Sequence, residues 1–161
     1  MALGDALAVS LMQKRGFKKE DFASFHPGGS LGKRLFVKAI DLARSENLPV
    51  LDKDATIKEA ITVMTDGKLG TVLLMEGKKV KALLSDGDLR RALMDKDFSF
   101  DKRAFDYATK DPKSEIADDL LASDALKSIE ESKIQLLVLT DKERNLKGVL
   151  HIHTLVEAGI S

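Results

Sequence analysis

Val80-Lys81-Ala82-Leu83-Leu84-Ser85-Asp86-Gly87-Asp88-Leu89-Arg90-Arg91 runs from an apolar stretch into a polar turn, and Leu146-Lys147-Gly148-Val149-Leu150-His151-Ile152-His153-Thr154 repeats that order 66 residues later. A short run rich in Val and Leu reads as a strand. A Ser followed three positions on by an acid reads as the start of a helix. The echo extends outward from this junction. Ala60 to Met64 is matched by Ala125 to Ile129, 65 residues apart, and Val72 to Met75 by Val138 and its neighbours. A one-residue shift falls in the intervening turn, Glu76-Gly77-Lys78-Lys79 against Asp141-Lys142-Glu143-Arg144-Asn145. Surface turns absorb such an insertion at little cost. An internal duplication accounts for the whole pattern.

Each unit reads as a short strand (Pro49 to Leu51 in the first), a helix (Ile57 to Thr65), two strands joined by a tight turn, and a closing helix. This β-α-β-β-α order places the chain in the α/β (α+β) class. One unit of ~60 residues buries too little surface to stand alone, so two copies are expected to pack sheet against sheet as a pseudo-symmetric pair. The cleft between them is the expected ligand site. Ahead of the repeats, Leu3, Ala6, Leu7 and Leu11 predict a helix over residues 2–15 that stops near Gly16, and Leu31 to Leu42 predict another. His26-Pro27-Gly28-Gly29-Ser30 between them is a turn. These forty residues offer no strand and no independent core.

Composition excludes several chemistries. The chain has 161 residues, 43% of them hydrophobic, and its 26 basic and 26 acidic side chains cancel, so no whole-molecule field draws in nucleic acid or an anionic membrane. Residues 1–39 alone are mildly basic. The absence of cysteine removes disulfides, thiolate metal sites and thiol nucleophiles, and agrees with a reducing compartment. No apolar run approaches the ~20 residues of a membrane span, and Asp5 interrupts the opening stretch, unlike a secretory signal. The reading is a cytoplasmic protein with neither nucleic-acid nor membrane partners.

Gly70-Thr71-Val72-Leu73-Leu74, with Val80 to Leu84 and the Ser85-Asp86-Gly87-Asp88-Leu89 turn, resembles the CBS repeat over roughly residues 40–161. Ser85 to Arg91, with Leu150-His151-Ile152-His153 and Ala158-Gly159, is more specifically similar to the D-arabinose 5-phosphate isomerase family. That family carries a sugar-isomerase (SIS) domain ahead of its CBS pair. The SIS domain's closing pattern resembles Leu3-Gly4-Asp5-Ala6-Leu7-Ala8 and His26 to Gly32 here. The resemblance implies three parts: residues 1–38 as a helical remnant of a SIS domain, 39–98 as the first CBS repeat and 99–161 as the second. It further implies a regulatory, dimerising module of an enzyme that interconverts D-ribulose 5-phosphate and D-arabinose 5-phosphate for Kdo, lipopolysaccharide or capsule synthesis. Two alternatives stand beside it: a purely structural oligomerisation module, and an adenosine-nucleotide sensor.

The candidate site residues follow. In nucleotide-binding CBS proteins, a Ser or Thr three residues ahead of an Asp at a strand-to-helix junction meets phosphate through its hydroxyl and the helix N-terminus, and ribose through the carboxylate. Ser85 and Asp88 fit that pattern, and fit a plain helix cap equally well. Arg90 and Arg91 could clamp an anion, but consecutive helix positions point ~100° apart, so one is expected to face the cleft, and Arg91 is chosen. His151 stands where Ser85 stands and Thr154 where Asp88 stands, so two identical sites are not expected. His151 and His153, two apart on a strand, would share a face; a third metal ligand is missing, so they are read as cleft residues for an anionic sugar and no metal is assigned. Val50 and Thr71 complete the expected lining. His26 resembles the family's catalytic histidine and could shuttle the C1–C2 proton only within a complete SIS domain. No cofactor is expected. The expected partners are a nucleotide or a sugar nucleotide resembling CMP-Kdo, and a second copy of the chain; on the structural alternative, apolar helix faces such as Ile57, Ala60, Ile61 and Met64 would pack across that dimer.

Overall fold

A computed structural model describes residues 10–18, 21 and 29–160. Residues 10–14 are helical, in agreement with the end of the first expected helix. The rest of that helix and His26 lie outside the described residues. The expected helix over 31–42 is instead two: α1 (Ser30–Phe36) and α2 (Ala39–Leu42). Val37 and Lys38 between them are extended, because their backbone is drawn into tertiary hydrogen bonding. Lys38 bridges Leu121, Ala122 N–H donates to Val37 O (2.8 Å), and Ala39 N–H donates to Leu120 O (2.8 Å).

The first unit is β1 (Val50–Asp52), α3 (Ile57–Gly67), β2 (Thr71–Glu76), β3 (Lys79–Ser85) and α4 (Asp86–Ala92). A 3-10 turn (Ala104–Asp106) and β4 (Thr109–Lys110) follow. The second unit repeats the order: β5 (Ser114–Ile116), α5 (Ala122–Ser132), β6 (Leu136–Thr140), β7 (Leu146–His151) and α6 (Ile152–Glu157). Helix α3 starts on a complete Thr56/Glu59 capping box and ends at a left-handed Lys68. Its copy α5 lacks a side-chain cap but ends the same way at Lys133.

In both units the first strand runs parallel to the second, and the second and third form an antiparallel hairpin. Each hairpin is irregular at the same place, Leu74/Met75 and Leu139/Thr140. The ladders equate Leu73 with Val138, 65 residues apart, and their partners Leu83 with Val149, 66 apart, in agreement with the one-residue shift expected in the turn. Alternation then divides the side chains. Val72 and Leu74 face helix α3, while Leu73 meets Leu136, Val138 and Val149 from the other sheet. Ile57, Ala60 and Met64 are buried in the first unit's own core with Ile61 packed against them. The expectation that they form a dimer face is therefore corrected: the apolar stripe of α3 is consumed by its own sheet.

Chain order and packing part company at the joints between units. Ala39, on the first-repeat side of the 38/39 division, is fully buried in the second unit's core with Ala122, Leu137 and Leu150. Arg44 pairs with Val149 through two backbone hydrogen bonds of 2.9 Å. Reciprocally, Ala104 is buried in the first unit's core, and β4 adds to the first sheet alongside β3. Each unit is closed by a segment that belongs, by sequence, to the other.

Candidate ligand cleft

The two hairpins bring the starts of β2 and β6 and the ends of β3 and β7 to one end of the pair. Thr71 pairs with Ser85 in one sheet and Leu136 with His151 in the other. Between them opens a cleft of about 560 Å³. Five of the seven expected ligand residues line it: Thr71, Ser85, Asp88, Arg91 and His151. Val50 does not. It sits on the edge strand β1 and lines a separate hollow at the hairpin end of the molecule with Met75, Lys78 and Leu146.

Ser85 and Asp88 form a reciprocal cap on α4. Ser85 N–H donates to Asp88 Oδ2 (2.9 Å), Ser85 Oγ donates to the same oxygen (2.6 Å), and Asp88 N–H donates back to Ser85 Oγ (3.2 Å). The other carboxylate oxygen, Oδ1, accepts from the Arg91 guanidinium. Asp88 is thus a buried acid, 5% exposed, with both oxygens engaged inside the chain. Gly70, in the left-handed region at φ +62°, accepts Asp86 N–H (3.0 Å) and holds the start of β2 against the start of α4. Thr71 Oγ1 is buried with no hydrogen-bond partner among the described residues. Leaving such a hydroxyl unpaired costs stability in a core, so its place on a cleft wall is notable.

The second unit's half of the wall is different chemistry on the same backbone. His151 is the last residue of β7 and also the N-cap of α6, its Nδ1 accepting from His153 N–H (3.2 Å). His153 is therefore a helix residue, which corrects the expectation of two strand neighbours. The rings still lie together, stacked with centroids 4.9 Å apart, but His153 is exposed and stands off the cleft lining. Burial, and secondarily the neighbouring His153, holds His151 below the usual imidazole range. Among the described residues no group of three potential metal ligands comes together.

Arg90 and Arg91 both line the cleft, against the expectation that one would. Their Cα positions diverge, but the long side chains span the difference across an opening this wide. Lys113 and Lys133 also line it and were not anticipated. Lys113 leads into β5, and Lys133 is the left-handed residue that ends α5. The only cue to Lys133 was its match, 65 residues on, to Lys68, another left-handed helix end. Four cations and one imidazole thus surround a wall whose acids are Asp86 and Asp88.

Residues 37–95 match the CBS domain family. The fold of the two repeats is that of CBS domain pairs. It aligns with a CBS domain protein of Pyrobaculum aerophilum complexed with AMP at a TM-score of 0.65 and 24% identity, over 74% of this chain and 90% of that one. CBSX2 in complex with AMP gives a TM-score of 0.67 at 21% identity, over 76% and 96%. This chain has the fold of a CBS domain pair. Among sequence relatives, the CBS pair and its flanking residues are 45% identical to an uncharacterised protein of Helicobacter pylori, over 99% of this chain and 49% of the relative. They are 40% identical to the arabinose 5-phosphate isomerase KdsD of Pseudomonas aeruginosa, again over 99% and 49%. A probable arabinose 5-phosphate isomerase of Haemophilus influenzae is 40% identical over 93% and 44%. The chain spans about half the length of the curated relatives it matches. No helix among the described residues is long and apolar enough to cross a membrane.

Proposed function

We propose that this CBS pair is the regulatory, ligand-binding part of an arabinose 5-phosphate isomerase, and that its ligand is a phosphorylated, diol-bearing small molecule such as a nucleotide or a sugar nucleotide of the CMP-Kdo kind. The observation that carries the reading is the convergence of Ser85, Asp88 and Thr71 from one repeat with His151 and Lys133 from the other around a single cleft. A carboxylate suits paired hydroxyls, and surrounding cations suit a phosphate. The second repeat has Thr154 where the first has Asp88, so one ligand per chain is expected, not two equivalent ones. The structural neighbours named as AMP complexes, and the relatives named as isomerases, support the reading from two independent directions. Isomerisation itself belongs, on this reading, to the SIS domain of the whole enzyme, where His26 would act. Ligand binding would bias that domain through differential affinity for two states of the pair.

One observation favours a second reading, in which the pair only holds subunits together. The Ser85/Asp88/Arg91 cluster is internally satisfied and needs no ligand to explain it. Calorimetric titration with AMP, ATP, CMP-Kdo, Kdo and arabinose 5-phosphate separates the two. Saturable binding by one of them, lost in Asp88→Ala, supports the sensing role. Absence of heat and of thermal shift across the panel favours the structural one.

A further inference from the structure

Asp88 carries the cleft's buried carboxylate, yet neither of its oxygens is free. Oδ2 is fixed by the Ser85 backbone and hydroxyl, an arrangement that also starts helix α4 and would be costly to dismantle. Oδ1 is held by one group alone, the Arg91 guanidinium. The two partners differ sharply in setting: the Arg91 side chain is 73% exposed and that of Asp88 6%. Arg91 reaches back over the first turn of α4 to make the contact, close enough that a Cβ added at Gly87 would lie 3.6 Å from its Nη1. A solvated cation therefore covers the acceptor oxygen that is not committed to the helix cap.

We propose that Arg91 is a mask that makes the cleft selective for ligands carrying an anion together with a diol; the proposal rests on the ligand-binding reading above. A neutral diol must compete with a guanidinium for Oδ1. An anionic ligand offers that guanidinium a second partner, draws it off Asp88, and uncovers the oxygen for its own hydroxyl. Arg90 and Lys133 line the same cleft and are not held by Asp88, so they can receive the anion first, whereas Lys113 is already paired with Glu115 (2.9 Å). Recognition of the two ligand groups is thereby coupled through one side chain, and a free nucleoside or sugar is rejected although it has the hydroxyls the acid would accept.

The test compares AMP, adenosine and inorganic phosphate on the whole chain and on its Arg91→Ala variant, by NMR titration able to read millimolar affinities. Position 91 is exposed and near the end of its helix, so the variant keeps the fold, which its thermal midpoint verifies. Removing the mask strengthens adenosine binding by about two- to fivefold, the range an exposed ion pair supports. It weakens AMP by about tenfold through loss of a charge-assisted contact. Were Arg91 a plain phosphate clamp, AMP would weaken with adenosine unchanged, and that outcome overturns the mask. If none of the three probes binds the wild-type chain, the mask falls, while the ligand-binding reading stands or falls separately with the wider titration panel above.

Discussion

The two repeats share a backbone and differ at the one junction that matters for chemistry. At the end of β3 a Ser/Asp pair caps α4 reciprocally and is buried. At the end of β7 a histidine caps α6 through its ring, backed by another histidine, and Thr154 stands where the first repeat has Asp88. Both solutions satisfy a helix start, so the fold does not discriminate between them. The cleft does, because one wall becomes an acid under a guanidinium and the other a partly desolvated imidazole. Duplication supplied a symmetric frame, and the junction residues made the cleft between the repeats chemically unequal on its two walls.

The sharpest way to break the comparison is to ask whether the repeats are separable at all. Leu84 and Leu150 occupy equivalent, fully buried positions in the two cores. Truncating either to Ala is expected to cost about 2–5 kcal/mol. Because Ala39 closes the second core and Ala104 the first, each loss should lower one shared unfolding transition. Two resolved transitions in a denaturation monitored by residue-specific amide signals, with each variant moving only one, would show the units to be independent.

A smaller test exploits the crossing segments. Position 148 is Gly where the first repeat has Ala82, and a Cβ there would lie 2.9 Å from Arg44 O. Gly148→Ala should therefore destabilise by about 1–3 kcal/mol through displacement of the Arg44 bridge. Ala82→Gly, which removes one buried methyl from a strand flanked by β4, should cost about 1 kcal/mol. Equal effects, read from chemical denaturation midpoints, would mean that the Arg44 segment yields freely.

Much of this was legible in the sequence, and the failures share one cause. Strands, hairpins and helix starts are local, and Val80 to Leu84 and Ser85/Asp88 announced them through their apolar run and capping chemistry. The break at Val37 and Lys38 was not legible, since it is set by Leu120 and Leu121, more than eighty residues away in the chain. The same holds for Ala39 and Ala104, small residues without periodic company that turn out to close the opposite cores. In the cleft, Ser85, Asp88 and Arg91 were readable from one repeat, whereas Lys113 and Lys133 came into view only when the sheets were set face to face. Val50 misled because the first strand of each unit is an edge, and nothing in its apolar run says which end of the sheet faces the ligand.

The junctions themselves can be compared by deleting their third-position side chains. Asp88→Ala removes the acceptor for the Ser85 N–H and hydroxyl and leaves Arg91 unpaired, which should cost about 1–2 kcal/mol. Thr154→Ala, at the equivalent place in the second repeat, should stay within about 0.5 kcal/mol. Matching losses in thermal midpoint would mean that the acid contributes nothing beyond its position, and would weaken the case that the first junction is the specialised one.

The smallest effect lies at His151 and concerns pH. Burial and the neighbouring His153 depress its pKa in the folded chain, so the unfolded chain binds a proton there more readily. The sign follows: this contribution to stability is complete above the unfolded imidazole value near 6.5 and is lost as pH falls through the folded value. Ser85, in the equivalent position, cannot titrate in that window, so the first junction adds no such slope. His151→Gln should accordingly flatten the decline in stability as pH falls below the unfolded imidazole value, a difference measurable by paired denaturation series. An anion in the cleft acts in the opposite direction, favouring imidazolium and raising the His151 pKa, so that binding takes up protons and tightens as pH falls from 7 to 6. Calorimetry in buffers of different ionisation enthalpy reads that uptake directly. Uptake in the wild type that disappears in His151→Gln assigns it to the second repeat's wall, whereas uptake that persists in the variant places the proton on the ligand and leaves His151 a cap alone.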